Sequence, residues 1–370
     1  MTQQLPHSDQ LDIGTLSRLF RHTTNSYKYL FFLSLLTLIK DRNFKIDDGI
    51  HLKDLKIEML ITAWYPQVFF KLSFGTQDQI SSALKQVPHL EDKNLLSKTG
   101  RQKLRRHIML DYKDFYDELM RYVPYRILRP FFAVETRGMP DQRVNREVSK
   151  LAAEQFHERR PLFRFDDSEE CIFLHPGWFA YLQQHQTIIE GWALWHWADY
   201  MQRRNPSIPA VTRKLLPPDR RESLNAQRKF WDTIIDIDRT NIRCIYTGKK
   251  LDCGYELDHF LPWKFVAHNQ LWNLIPVYPL ANSSKSDRFP SEIYIDRLAE
   301  THCTALSIAR DNFSNNKWEK EVESYITDLH IAKPENTLDF EILRFAYRRT
   351  LEPLMSIAEQ QGFYCGWIYG

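Results

Sequence analysis

The sequence predicts a mainly α-helical protein: a helical N-terminal region, a small module of two strands and a helix, and a C-terminal helix. Three observations lead there. Apolar residues recur at helical spacing through most of the chain before Met201. Strand-like runs bounded by turn residues are confined to two short stretches, residues 161–175 and 242–261. A helical period then returns near the C-terminus, over residues 337–361.

Residues 14–40 open with Leu16, Leu19, Phe20 and Tyr27 on one side of a helix; after Asn25 and Ser26, which can cap or kink it, the segment turns apolar all round. That second half predicts the central helix of an N-terminal domain. Its apolar run, residues 29–39, is shorter than the roughly 20 residues of a membrane span. It runs straight into Lys40, Asp41 and Arg42, so it predicts a buried core helix and no membrane association. Residues 55–74 carry Pro66 near the middle, where the missing N–H splits the helix into two pieces.

From 98 to 160 there are fifteen Lys or Arg against nine Asp or Glu, interleaved with Tyr112, Tyr116, Tyr122, Tyr125, Phe131 and Phe132. Such a mixture suits a nucleic-acid face, with cations for phosphates and rings for bases. A solvated helical surface over buried rings is the preferred reading. Residues 161–175 read as a hairpin with an acidic turn, and 178–201 as one long, largely buried helix. Residues 203–221, with four prolines and six basic residues, read as a linker. The expected domains are therefore 1–215, 216–310 and 311–370. A helix is expected over 222–237.

With 370 residues, 43% of them hydrophobic and 14% aromatic, the chain can bury the cores of two or three domains. A net charge of +3 argues against a polybasic tail and leaves only local basic patches. Five scattered cysteines, an odd number without a CxxC pair, fit a reducing cytosol. The polar N-terminus shows no secretory signal, so the expected location is cytoplasmic.

The chemistry gathers in residues 242–290. A strand-like run at 242–246 passes through a turn at Thr247 and Gly248 to a second at 255–261; a loop and the segment LWNLIPV follow, and residues 282–287 then open a helix. Asp258, His259, Asn273, Asn282 and Lys285 stand where packing has no need of them. Phosphodiester hydrolysis needs such types. A histidine titrating near neutrality takes the proton of an attacking water, and a hard cation held by a carboxylate and an amide oxygen neutralises the leaving 3′-oxygen.

Taken together, DH at 258–259, the LWN asparagine Asn273 and the run NSSKSD from Asn282 resemble the HNH, or ββα-metal, nucleases, and specifically the HNH domain of RNA-guided CRISPR nucleases. The likeness covers 50 to 60 residues. It implies His259 as general base, Asp258 and Asn282 as ligands of Mg²⁺ or Mn²⁺, and Asn273 as the residue that fixes the loop and orients the histidine. Lys285 and Arg288 would lie near the phosphate, and the products would carry 5′-phosphate and 3′-hydroxyl ends. Many members bind structural zinc through two CxxC pairs. Here Ile245, Tyr246 and Thr247 follow Cys244, so no zinc site is expected, even with Cys253 at hand.

Singly, each residue has a plainer role: a core histidine, a turn carboxylate, a loop amide, a helix cap, a solvated lysine. Those roles do not explain the shared order and spacing. The expected function is a metal-dependent endonuclease acting on double-stranded DNA, either as a nickase or by cutting both strands. Free-standing HNH nucleases with a helical partner domain resemble bacterial anti-phage effectors, including the HNH component of Zorya-type systems, whose other proteins would be partners. Restriction, homing and toxin-like cleavage of DNA or RNA share the chemistry. A nuclease-inactive nucleic-acid-binding or scaffolding protein is the alternative from another class. Because Asp258 and His259 alternate in an ideal strand, regular geometry is expected to fail nearby through a strand end, bulge or twist.

Overall fold

The computed structural model describes residues 5–41, 45, 49–85, 98–110, 117–216, 222–238, 242–251 and 254–370. Tyr112, Tyr116, Arg42, Cys253 and residues 217–221 of the expected linker lie outside that set. Helices dominate, with two small sheets. The chain divides into two units, Met1–Pro206 with Val211–Pro217, and Ser207–Ala210 with Pro218–Gly370.

In the first unit the helix Tyr27–Asp41 buries Leu30, Phe31, Phe32 and Leu35 completely and packs against Leu52–Trp64 and Gln186–Arg204. Its start is set locally and from afar: Asn25 Oδ1 accepts from the Tyr27 amide, and the Asp78 carboxylate accepts from Ser26 N–H at 2.8 Å. The predicted helix before it shrinks to Ile13–Ser17, capped by Asp12. Pro66 splits the next helix as expected, with a π-helical turn Tyr65–Phe69 following Leu52–Trp64. The predicted hairpin forms from β2, Phe163–Phe165, and β3, Cys171–Leu174, in register Phe163↔Leu174. A third strand, β1, Ile50–His51, adds to the far edge of β3. The single helix expected over 178–201 is two, Pro176–Gln184 and Gln186–Arg204. His185 leaves helical geometry at φ −109°, ψ 21° with its ring against Tyr181 at 4.8 Å.

Much of the basic stretch serves the fold. Arg101 and Arg105 neutralise the fully buried Glu58, Tyr125 stacks on Phe165 at 4.8 Å, and Phe132 is buried. That is the preferred reading of the stretch, with one exception near Tyr122 taken up below.

The second unit is built on one core that runs from Phe230 and Trp231 on the helix Asn225–Ile237, through the module, to Phe363 and Trp367. The helices Ile295–Asn312, Asn315–Asp328 and Phe340–Gln360 enclose it, the last capped by Asp339. Beyond it the chain doubles back. Phe289 N–H donates to Tyr364 O, Trp367 N–H to Phe289 O and Ser291 N–H to Trp367 O, all at 2.8–2.9 Å.

The module has the predicted strand, strand, helix order with different first members. Strand β4, Glu256–His259, pairs antiparallel with β5, Leu274–Val277, and the helix Pro279–Lys285 follows. The run expected as the first strand, residues 242–246, makes only an isolated bridge, Arg243↔Lys250. Its amides close a local turn, Cys244 N–H to Lys249 O and Gly248 N–H to Cys244 O, with Gly248 at φ +70°. Ile242, Cys244, Ile245 and Tyr246 are buried, so the apolar pattern reported burial and not pairing. Residues 282–287 close a helix instead of opening one: Pro279 begins it, a position that needs no N–H donor. Ser286 at φ +51°, ψ −128° then stops it.

Candidate active site

The site is built where the end of β4 meets the helix Pro279–Lys285. The ladder is regular through Asp258↔Ile275 and His259↔Leu274, and Phe260 N–H still donates to Asn273 O at 2.8 Å. Of the three irregularities expected, the strand end is the one found. Alternation therefore sends Asp258 and His259 to different surroundings.

Asp258 is 4% exposed. Its Oδ2 accepts from the Tyr246 hydroxyl at 2.7 Å and its Oδ1 from Lys285 Nζ at 2.9 Å. Burial, then the adjacent Asp258 carboxylate, pushes the Tyr246 phenol well above its ordinary value, so Tyr246 stays a donor. Tyr246 is wedged edge-on between Tyr294 and Trp367 at 5.0 Å from each.

Lys285 has no exposed surface and its ammonium also donates to His259 O at 2.8 Å. Lys285, expected near the phosphate, directs its charge inward onto Asp258 and the strand backbone. Arg288 donates to Ser284 O and Lys285 O and lies over the Tyr364 ring at 5.8 Å.

The His259 ring is half-buried and bonds through Nε2 to Asn269 Oδ1 at 2.9 Å. Asn269 Nδ2 points at Glu222 O, which leaves its oxygen for the histidine. A neutral His259 donating from Nε2 carries its lone pair on Nδ1. The bond to Nε2 is thus made by Asn269. Asn273, completely buried, clamps the turn after His259 through Leu261 N–H to its Oδ1 at 2.8 Å and its Nδ2 to Leu261 O at 2.9 Å. Neighbours hold it rigid, with Trp272 Nε1–H on Asp328 and the Tyr347 hydroxyl on Trp272 O.

Asn282, one turn before Lys285, donates from Nδ2 to Glu256 Oε2 at 2.7 Å. Glu256 and Asp258 alternate onto one face of β4, so Asn282 and Lys285 meet that face in parallel. The sequence reading missed Tyr246, Glu256 and Asn269. Only Glu256 left a signal, the i, i+2 spacing to Asp258.

A hard divalent cation suits the donors on this face: two carboxylates and the Asn282 amide oxygen. Lys285 and Tyr246 each leave lone-pair capacity on Asp258, and the Asn282 oxygen makes no hydrogen bond among the described residues. No cluster of three His, Cys, Asp or Glu stands together among the described residues, so the amide oxygen is part of any such ligand set.

No curated protein and no solved structure matches the chain. Residues 244–291, which hold every residue of the site, match the family model of the HNH endonucleases.

Proposed function

We propose that the protein is a metal-dependent endonuclease that hydrolyses phosphodiester bonds of double-stranded DNA. The observation that carries this reading is the double anchoring of His259 inside the matched segment: Asn269 fixes the ring and Lys285 fixes the backbone. In the reaction His259 Nδ1 takes the proton of a water as its oxygen attacks phosphorus. The bond from phosphorus to the 3′-oxygen breaks, that oxygen takes a proton from water, and the products carry 5′-phosphate and 3′-hydroxyl ends. Asn269 keeps the accepting nitrogen aimed and shares the positive charge that develops on the ring. Asp258 and Asn282, with Glu256, would hold Mg²⁺ or Mn²⁺, which supplies charge neutralisation at the leaving oxygen. Tyr246 and Lys285 keep Asp258 pointed.

The test is supercoiled plasmid incubated with the full chain in Mg²⁺, Mn²⁺ or EDTA, beside His259→Ala. Metal-dependent open-circle or linear product from wild type alone is expected. Equal, undamaged plasmid in every lane removes the reading, and faster loss of RNA than of DNA moves the substrate class. The engagement of each Asp258 oxygen by a protein donor favours one other reading, a nucleic-acid-binding protein that does not cleave, and the same gel decides. A cytoplasmic role against phage, with the helical unit contacting DNA or a partner, rests on architecture alone. Plaque counts on cells expressing wild type or His259→Ala measure it. Among the described residues no helix is long and apolar enough to cross a membrane.

A further inference from the structure

The exception noted in the basic stretch lies in the first unit. A pocket of about 820 Å³ opens between the segment 18–25, the start of the helix Tyr27–Asp41 and the helix Val123–Leu128. Arg18, Arg21, Lys28, Arg126 and Arg129 line it, against a single carboxylate, Asp141. That carboxylate is shared, 3.0 Å from Arg126 and 3.7 Å from Arg129. Lys28 spends its ammonium on two backbone carbonyls, Leu19 at 3.3 Å and His22 at 3.4 Å, neither of which neutralises it. Burial first, then Arg126 and Arg129, pull Lys28 down to about 8. Nη1 of Arg126 is shielded from solvent and has no hydrogen-bond partner. Tyr122, 41% exposed, stands in the lining with the Arg126 guanidinium over its ring at 5.7 Å.

Five cations in a concave site raise one another's electrostatic cost, and among the described residues that line it Asp141 is the single carboxylate to relieve it. The volume is that of a small-molecule pocket, and guanidinium groups suit phosphate oxygens. An aromatic ring at the lining supplies the flat contact that a base takes. We propose that this pocket binds an organic phosphate of nucleotide size, its phosphates against Arg18, Arg21, Lys28, Arg126 and Arg129 and its base against Tyr122. The inference is independent of the nuclease reading, since every lining residue belongs to the first unit.

Isothermal titration of the full chain tests it, in the His259→Ala background with EDTA so that nucleic acid is not cut. The probes are ATP, tripolyphosphate, adenosine and a single-stranded 12-mer with and without a 5′-phosphate. ATP and tripolyphosphate should bind at one site and adenosine should not. Arg21→Glu with Arg129→Glu should weaken ATP by about tenfold or more, the size of a lost charge-assisted hydrogen bond. Asp141→Asn should tighten ATP several-fold, a gain that misfolding cannot produce. If the source of the phosphate is a nucleic-acid strand, the phosphorylated 12-mer displaces ATP and is weakened by the same pair; if it is a free nucleotide, it does not displace ATP. The proposal is overturned if no phosphate probe binds below millimolar concentration. It is equally overturned if the charge-reversed protein melts like wild type and binds ATP unchanged, or if Asp141→Asn leaves ATP affinity as it was.

Discussion

Replacing Lys285 by methionine removes the one cation on Asp258 while keeping the volume of the side chain. Both partners are buried, with side-chain exposures of 0% and 5%, so the carboxylate cannot turn to solvent for compensation. Breaking a buried pair from one side costs about 3–5 kcal/mol, and the donor lost from His259 O adds about 1 kcal/mol. Against a domain stability of roughly 5–15 kcal/mol, Lys285→Met is therefore a severe change confined to β4 and its partner helix. Hydrogen exchange of peptides covering residues 256–260, read in the full chain by mass spectrometry, reports it locally. Protection should fall by about two to four orders of magnitude, the factor that 3–5 kcal/mol implies. Adding Asp258→Asn should restore part of it, because the buried charge is then gone from both sides. Exchange in Lys285→Met within a factor of about three of wild type would refute the claim that this pair holds the site together.

Asn269→Ala should leave the fold intact and lower the plasmid-cleavage rate about 10- to 100-fold, the usual cost of losing an orienting partner, with initial rates as the measure. Tyr246→Phe should destabilise the second unit by about 1–3 kcal/mol by stripping a donor from buried Asp258, as read by urea denaturation. His302, fully buried with Nδ1 on the Tyr325 hydroxyl, is held neutral by burial, its pKa lowered to about 3. Below its unfolded value near 6.5 the unfolded chain takes a proton that the folded chain refuses, so stability falls as pH falls from there toward 3. Between pH 7 and pH 5 wild type should lose roughly 2 kcal/mol relative to His302→Gln. Parallel stability curves would exclude the effect.

The helical class, the hairpin at 161–175, the split at Pro66 and the final helix were legible because each rests on local signals: periodicity, a turn, a missing N–H, a cap. The residues of the active-site motif were legible for another reason, since chemistry restricts which side chains stand in that order. What was illegible came from long-range partners. Tyr246 sits in an apolar run that reads as strand, and nothing local says that its hydroxyl meets a carboxylate twelve positions on. Asn269 looks like a loop residue until Glu222 takes its amide nitrogen and leaves its oxygen to His259. Lys285 follows Asn282, Ser283 and Ser284, a polar run suited to solvent, yet at the end of the helix Pro279–Lys285 it is completely buried.

The return of the chain after Phe340–Gln360 bears on the order in which the protein is made. Tyr246, which grips Asp258, is packed by Trp367, and Phe265 and Phe289 are packed by Phe363. On the ribosome the segment 244–291 emerges long before these last rings, so its hydrophobic wall stays open while some seventy further residues are added. A nascent or prematurely terminated chain thus carries the motif without the supports that set it. Assembly of the site thus waits on rings more than seventy positions beyond it in the sequence.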